Sequence, residues 1–312
     1  MNTGTPVRAS TAAMVERTLA AQRTSASLVR DYLSLAKVRT IGPHLLTATS
    51  AMLIAAEGRP PLHTLGLTLV GGGLVAAASN TLNCYLDRGL DARMRRTRSR
   101  PLPAGRIDPR SALTYGLITG MLGLLILVRF VGLAAAVLAF AALIYYVFAY
   151  TMLLKRRAPW NVLIGSGAGA LTPLIGWVAV ADRLTAAPFL LSAVIVLWTL
   201  PHFWALAIFR SGEYQRAGVR VLPSRGVTAG TVACSVLTAG VSLLLAWVAR
   251  LDLFYLGTAA VLGTGFVFLA LQMRRRGRLS EAKRFYRYSI VYITLLFVAM
   301  IVTEVPLPGI RQ

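Results

Sequence analysis

LHTLGLTLVGGGLVAAASNTLNCYLDRGLDARMRRTRSR, residues 62–100, is the stretch whose reading decides the fold. Leu62 to Leu86 contains no Asp, Glu, Lys or Arg, and it exceeds the roughly 20 apolar residues a helix needs to cross a bilayer. The chain then turns basic, with Asp87 and Asp91 set among Arg88, Arg93, Arg95, Arg96, Arg98 and Arg100. An uncharged span running into an arginine-rich segment reads as a transmembrane helix ending at a cytoplasmic loop. The whole chain repeats the theme: of 312 residues 56% are hydrophobic and 14% charged, with 33 Lys and Arg against 11 Asp and Glu. That basic surplus suits either nucleic acid or membrane loops, and the long apolar runs between the basic clusters select the second and exclude the first. Cys84 and Cys234 form no CxxC pair, which argues against thiolate metal sites and a disulfide framework.

Working outward, nine stretches are apolar enough to span: Ile41–Ala56, Leu62–Leu86, Ser111–Val128, Phe130–Leu154, Asn161–Val180, Pro188–Phe209, Val227–Ala249, Leu253–Met273 and Tyr288–Pro306. Arg129 alone separates the third from the fourth. The connections after the second, fourth, sixth and eighth spans are arginine- and lysine-rich, and the odd-numbered ones carry little charge. This alternation predicts a cytoplasmic N-terminus and a C-terminus outside, in a multi-pass protein of a bacterial inner membrane. Residues 1–35 read as a polar cytoplasmic tail with a short amphipathic helix near Leu28–Leu35, and residues 36–312 as one transmembrane domain. The expected fold is an all-α integral membrane bundle of about nine helices embedded in lipid. Gly71-Gly72-Gly73 and Gly165-x-Gly167-x-Gly169 fall inside spans, where small residues permit close helix packing and no strand precedes them to make a nucleotide loop.

Among the acids, only Asp87, Asp91 and Glu213 combine a membrane-edge position with a strongly basic neighbourhood. Asn83, Asp87 and Asp91 are four residues apart, so a continuing helix would set them on one face at about 6 Å of rise per step. Two carboxylates and an amide suit a hard cation such as Mg²⁺, which completes its shell with water and phosphate oxygens. The surplus arginines seek an anion, for which a diphosphate is a natural candidate. Simple ion pairing of Asp87 and Asp91 with nearby arginines is the alternative.

The run Asn83-Cys84-Tyr85-Leu86-Asp87-Arg88-Gly89-Leu90-Asp91, with Arg96-Thr97-x-x-Arg100-Pro101-Leu102, resembles the first aspartate motif of the UbiA-type membrane prenyltransferases. Asp31–Lys37, Tyr150–Arg157, Trp198–Leu206 and Glu213–Pro223 extend the resemblance to the haem-farnesylating branch, over about Asp31 to Thr303. The resemblance implies nine helices around a central cavity, and magnesium-dependent transfer of farnesyl from farnesyl diphosphate to a vinyl carbon of haem b. It implies that Asn83, Asp87 and Asp91 hold the magnesium diphosphate. Glu213 is the candidate for a second magnesium position opposite Asp87, with an ion pair to Arg210 or Arg216 as the alternative. Lys155, Lys37, Arg96, Arg100 and Arg156 would neutralise the leaving group. It also implies a place beside haem A synthase or oxidase assembly proteins. The chain departs from the branch at Val38, Leu200 and Arg220 (usually Pro), at Trp160 (usually Gln) and at Gly212 (usually Asp). The last shifts more of the metal binding onto Asp87 and Asp91.

An allylic diphosphate leaves once its charge is neutralised, so such a catalyst needs electrostatic stabilisation more than a base. Tyr145, Tyr146, Phe148, Tyr150, Trp177 and Phe203 are candidate liners of a prenyl cavity, each with an ordinary packing role as the alternative. On the acceptor side His202, inside the sixth span, His44 and Tyr150 are the candidates, His202 as an axial contact to haem iron. A buried hydrogen-bonded helix contact is the competing role for His202. Two rivals stand beside this reading: a related prenyltransferase acting on a quinone precursor or another aromatic, and a transporter. Transporters place charge near the bilayer midplane, and here the charges cluster at the cytoplasmic edge.

Overall fold

The computed structural model describes residues 25–154, 161–211 and 224–305. These are mostly helical, with no strand among the described residues. Ten helices follow in order: α1 Ser25–Ala36, α2 Val38–Ala55, α3 Leu62–Arg93, α4 Pro109–Ile126, α5 Leu133–Ile144, α6 Asn161–Val178, α7 Ala186–Phe209, α8 Ser224–Val248, α9 Leu253–Arg276 and α10 Leu279–Glu304. Helices α4 and α5 each continue as π-helix, over Leu127–Val131 and Tyr145–Leu154. From α2 onward every helix coincides with one apolar stretch of the sequence. Among the described residues seven are long and apolar enough to cross a membrane, α2 and α6 being the shorter or less apolar members.

From α2 onward each helix packs on its chain neighbour, α1 packs on α3, and α10 returns to pack on α2, so the spans close into a ring. The pairings of α2 with α6 and of α7 with α10 cross the ring's interior. The apolar faces sort accordingly. Phe266, Phe285, Tyr292 and Leu296 are buried between α9 and α10. Met121, Leu125, Leu133 and Val261 are exposed at 70%, 61%, 68% and 73%, which only a lipid surround makes tolerable.

Two boundaries differ from the sequence reading, each for a local reason. The turn between the third and fourth spans falls at Gly132 (φ 151°), in a region open to glycine alone, while Arg129 sits inside the π-turn. Helix α3 runs on past Leu86 to Arg93, so the condition for a one-faced Asn83, Asp87 and Asp91 is met. Gly71 serves packing: a Cβ on facing Gly123 would lie 2.7 Å from the Gly71 carbonyl oxygen, so the backbones of α3 and α4 meet there.

Candidate active site

At the C-terminal end of α3, Asn83, Asp87 and Asp91 are each at most 5% exposed and stack along one helix face. Three other segments bring polar groups to that face. The α1–α2 junction is made by Lys37, whose left-handed backbone (φ 50°, ψ 49°) breaks the helix and turns the chain. Its Nζ donates to Asn83 Oδ1 at 2.7 Å. Asn83 Nδ2 donates to Asp87 Oδ2 at 2.9 Å and to Thr151 Oγ1 at 3.1 Å, so both amide protons and the carbonyl are used. The π-turn of α5 carries Thr151, whose hydroxyl in turn donates to the Tyr146 carbonyl at 2.8 Å. From the loop after α3, Arg100 Nη1 donates to Asp91 Oδ2 at 2.7 Å, and the Thr97 hydroxyl caps the Asp91 carbonyl at 2.9 Å.

Burial lowers the pKa of the Lys37 ammonium from its ordinary value, with Arg100 adding to the effect while Cys84, Asp91 and Asp87 oppose it. An ammonium and a guanidinium thus converge on two buried carboxylates that an asparagine holds in place. The ion-pair alternative is realised at Asp91, yet its pairing with Arg100 engages Oδ2 and leaves Oδ1 without a partner among the described residues. A hard divalent cation fits the carboxylates of Asp87 and Asp91, the residues that would hold it, with phosphate and water completing the shell, while the Asn83 amide oxygen accepts from Lys37. Among the described residues no three His, Cys, Asp or Glu side chains converge. Lys155, Arg156 and Glu213 lie outside the described residues, as do Trp160, Gly212 and Arg220.

Arg96 is exposed on the same loop and has no partner among the described residues, so its guanidinium is available to an anion. Tyr150 stacks on Tyr146 at 5.5 Å within the π-turn, one residue from Thr151. Cys84 is buried, its thiol against the Leu35 carbonyl at 3.8 Å, which is a packing role. A groove of about 400 Å³ lies elsewhere, lined by Tyr32, Arg110, Ser111, Thr114, Tyr115 and Ile118, and contains none of the predicted site residues.

The histidines belong to other clusters. His44 on α2 lies 3.4 Å from the Thr172 hydroxyl on α6. His202 is buried on α7 between Trp198 and Tyr286, both at 4.6 Å between ring centroids. Its Nδ1 meets the Ser289 hydroxyl of α10 at 2.7 Å, while that hydroxyl donates its single proton to the Tyr286 carbonyl, also at 2.7 Å. Ser289 must therefore accept from Nδ1–H, and Nε2 keeps its lone pair. This is how metal-binding imidazoles are oriented, and equally how a helix contact is locked.

Sequence reasoning gave no role to Thr151, Asp31 or Arg106. Thr151 had one visible signal, a hydroxyl directly after Tyr150 near the basic end of an apolar span. Asp31 and Arg106 form an ion pair at 3.0 Å, 75 residues apart, which no spacing rule reveals.

The sequence pattern of the UbiA prenyltransferase family matches residues 44–300. A protoheme IX farnesyltransferase of Symbiobacterium thermophilum is 44% identical over 282 residues, covering 88% of this chain and 94% of that protein. Another, of Roseiflexus sp., is 43% identical over 289 residues and 89% of this chain, which spans only 53% of that relative's length. Among solved structures, one described as a digeranylgeranylglyceryl phosphate synthase superposes with a TM-score of 0.76 at 20% identity, over 89% of this chain and 99% of its own. A UbiA homolog from Archaeoglobus fulgidus bound to GPP and Mg²⁺ superposes with a TM-score of 0.57 at 15% identity, over 86% and 99%. At those identities the likeness is one of fold.

Proposed function

Since this chain belongs to the UbiA prenyltransferase family and is a membrane-embedded prenyltransferase, we propose that it transfers farnesyl from farnesyl diphosphate to a vinyl carbon of haem b, giving haem O. The observation that carries the reading is the convergence of Lys37 and Arg100 on the Asn83, Asp87 and Asp91 face. The acceptor rests on the curated relatives, which are named protoheme IX farnesyltransferases.

Bound at Asp87 and Asp91, magnesium would supply the charge that makes diphosphate a good leaving group. This reading is supported by the donor set and by the fold shared with a homolog solved with GPP and Mg²⁺. The chain's own residues do the rest. Asn83, held by Thr151 and Lys37, orients the Asp87 carboxylate. Arg100, Arg96 and Lys37 neutralise phosphate oxygens as the allylic C–O bond breaks and its electron pair leaves with the diphosphate. Lys155 and Arg156 add to this charge, and Glu213 completes a second cation position. The vinyl π-electrons form the new C–C bond, and the cation left on the neighbouring vinyl carbon takes up water and sheds a proton. Aromatic side chains such as Tyr150 shield the allylic cation until then.

His202 is the acceptor-side contact, offering Nε2 to haem iron, with His44 second. The site faces the cytoplasm of a bacterial inner membrane, with the N-terminus inside and the C-terminus outside, and the product passes to haem A synthase or oxidase assembly proteins. Expressing the chain in a host that lacks haem O and extracting its membranes tests this. A farnesylated haem that disappears in Asp91→Asn supports the reading; prenylated quinone precursor without farnesylated haem overturns the acceptor.

A further inference from the structure

The two cations on the aspartate face come from segments far apart in sequence. Lys37 ends α1, and Arg100 sits in the loop between α3 and α4. Neither segment lies within a span, so something must fix each relative to the other. Asp31, near the middle of α1 and 8% exposed, accepts from Arg106 Nε at 3.2 and 3.0 Å through its two oxygens. The same guanidinium donates from Nη1 to the Ser99 carbonyl at 3.1 Å, the residue next to Arg100. Arg106 therefore grips α1 with one edge and the backbone beside Arg100 with another.

The surroundings stiffen that grip. The loop folds back on itself: Arg106 N–H donates to the Pro101 carbonyl at 2.8 Å, and Gly105 (φ 68°) makes the turn. Leu102 and Ile107 are buried with Leu35, Cys84 and Ala112, so loop, α1, α3 and α4 share one small apolar cluster beneath the ion pair. Asn80 Nδ2 donates to the Ala36 carbonyl at 2.9 Å, securing the last turn of α1 to α3 just before Lys37.

We propose that Asp31 and Arg106 are positioning residues for the diphosphate: their ion pair clasps α1 to the arginine loop, so that Lys37 and Arg100 are held together on the aspartate face. The inference rests on the diphosphate reading of that face. Neither residue touches the substrate. The clasp acts by pre-organisation, holding two flexible cations in the geometry the anion needs before it arrives. A part-exposed ion pair that served stability alone would matter little, because solvent screens it. Arg106 is 38% exposed in its side chain and Asp31 11%. Its effect should therefore be seen in anion affinity and hardly in thermal stability.

The test uses the full chain purified in detergent, titrated calorimetrically with inorganic diphosphate in the presence of Mg²⁺, which needs no acceptor. Asp31→Asn and Arg106→Gln should each weaken binding roughly tenfold, with an unfolding midpoint close to wild type. The exchanged pair, Asp31→Arg with Arg106→Asp, should recover most of the loss. Unchanged affinity in both single variants overturns the clasp, and so does a folded exchanged pair that binds no better than they do. If a single variant fails to fold, the exchanged pair decides: affinity near wild type supports the clasp and a tenfold deficit refutes it. A wild-type chain that binds no diphosphate would sink the reading of the face itself, and the clasp with it.

Discussion

Thr151→Val removes one hydroxyl and leaves the shape of the side chain nearly intact, so it isolates the hydrogen bond that links the π-turn of α5 to the face of Asn83, Asp87 and Asp91. In the native chain both amide protons of Asn83 are satisfied, one by Asp87 at 2.9 Å and one by Thr151 at 3.1 Å. Asn83 is 3% exposed, so no water replaces the lost acceptor. An orphaned buried N–H costs about 1–3 kcal/mol. Asn83 escapes that cost by rotating, which turns its Oδ1 away from Lys37 and loosens Asp87. If the whole penalty falls on the transition state, turnover drops roughly 5- to 150-fold. The assay is initial-rate release of diphosphate from farnesyl diphosphate with Mg²⁺ and haem b, beside thermal unfolding of the same samples. Thr151→Ser, which keeps the hydroxyl, should stay within a few-fold of wild type. Equal rates for Thr151→Val and wild type would refute the claim that Asn83 orients Asp87.

Three further outcomes follow from the same geometry. Chelation of divalent cations should abolish diphosphate release, and Mg²⁺ should restore it, whereas a transporter would show no release to lose. His202→Ala should impair haem conversion more than diphosphate binding, and Ser289→Ala should perturb the haem absorption spectrum by freeing the imidazole tautomer; unaltered spectra and conversion in both would assign His202 to packing alone. Gly132→Ala forces a side chain onto a backbone at φ 151°, costing about 1–3 kcal/mol of stability with little change in anion affinity, as read by thermal unfolding.

Much of this arrangement was legible in the sequence because a bilayer leaves so few options. Lipid demands long uncharged helices, and nine apolar stretches separated by charge mark them out, each recovered as a helix. The four-residue spacing of Asn83, Asp87 and Asp91 needed only a helix that continued past Leu86, and α3 supplies it to Arg93. Hydropathy located the third turn at Arg129, because charge is the only cue it reads; the backbone turns at Gly132, where φ is the cue. The partners of the site were hidden for a different reason. Thr151 reaches Asn83 across 68 residues through a π-turn, and a π-turn leaves no mark on hydrophobic periodicity. Asp31 and Arg106 look like one more acid and one more arginine until α1 folds back on the loop. Pairings of that kind are made by the tertiary fold.

The most direct test of the account is a single incubation of the purified chain with farnesyl diphosphate, Mg²⁺ and two competing acceptors, haem b and an aromatic quinone precursor, read by product mass. The account predicts a farnesylated haem from the wild-type chain and none from Asp87→Asn. A farnesylated quinone precursor with haem b unchanged, or full haem conversion by Asp87→Asn, would contradict it.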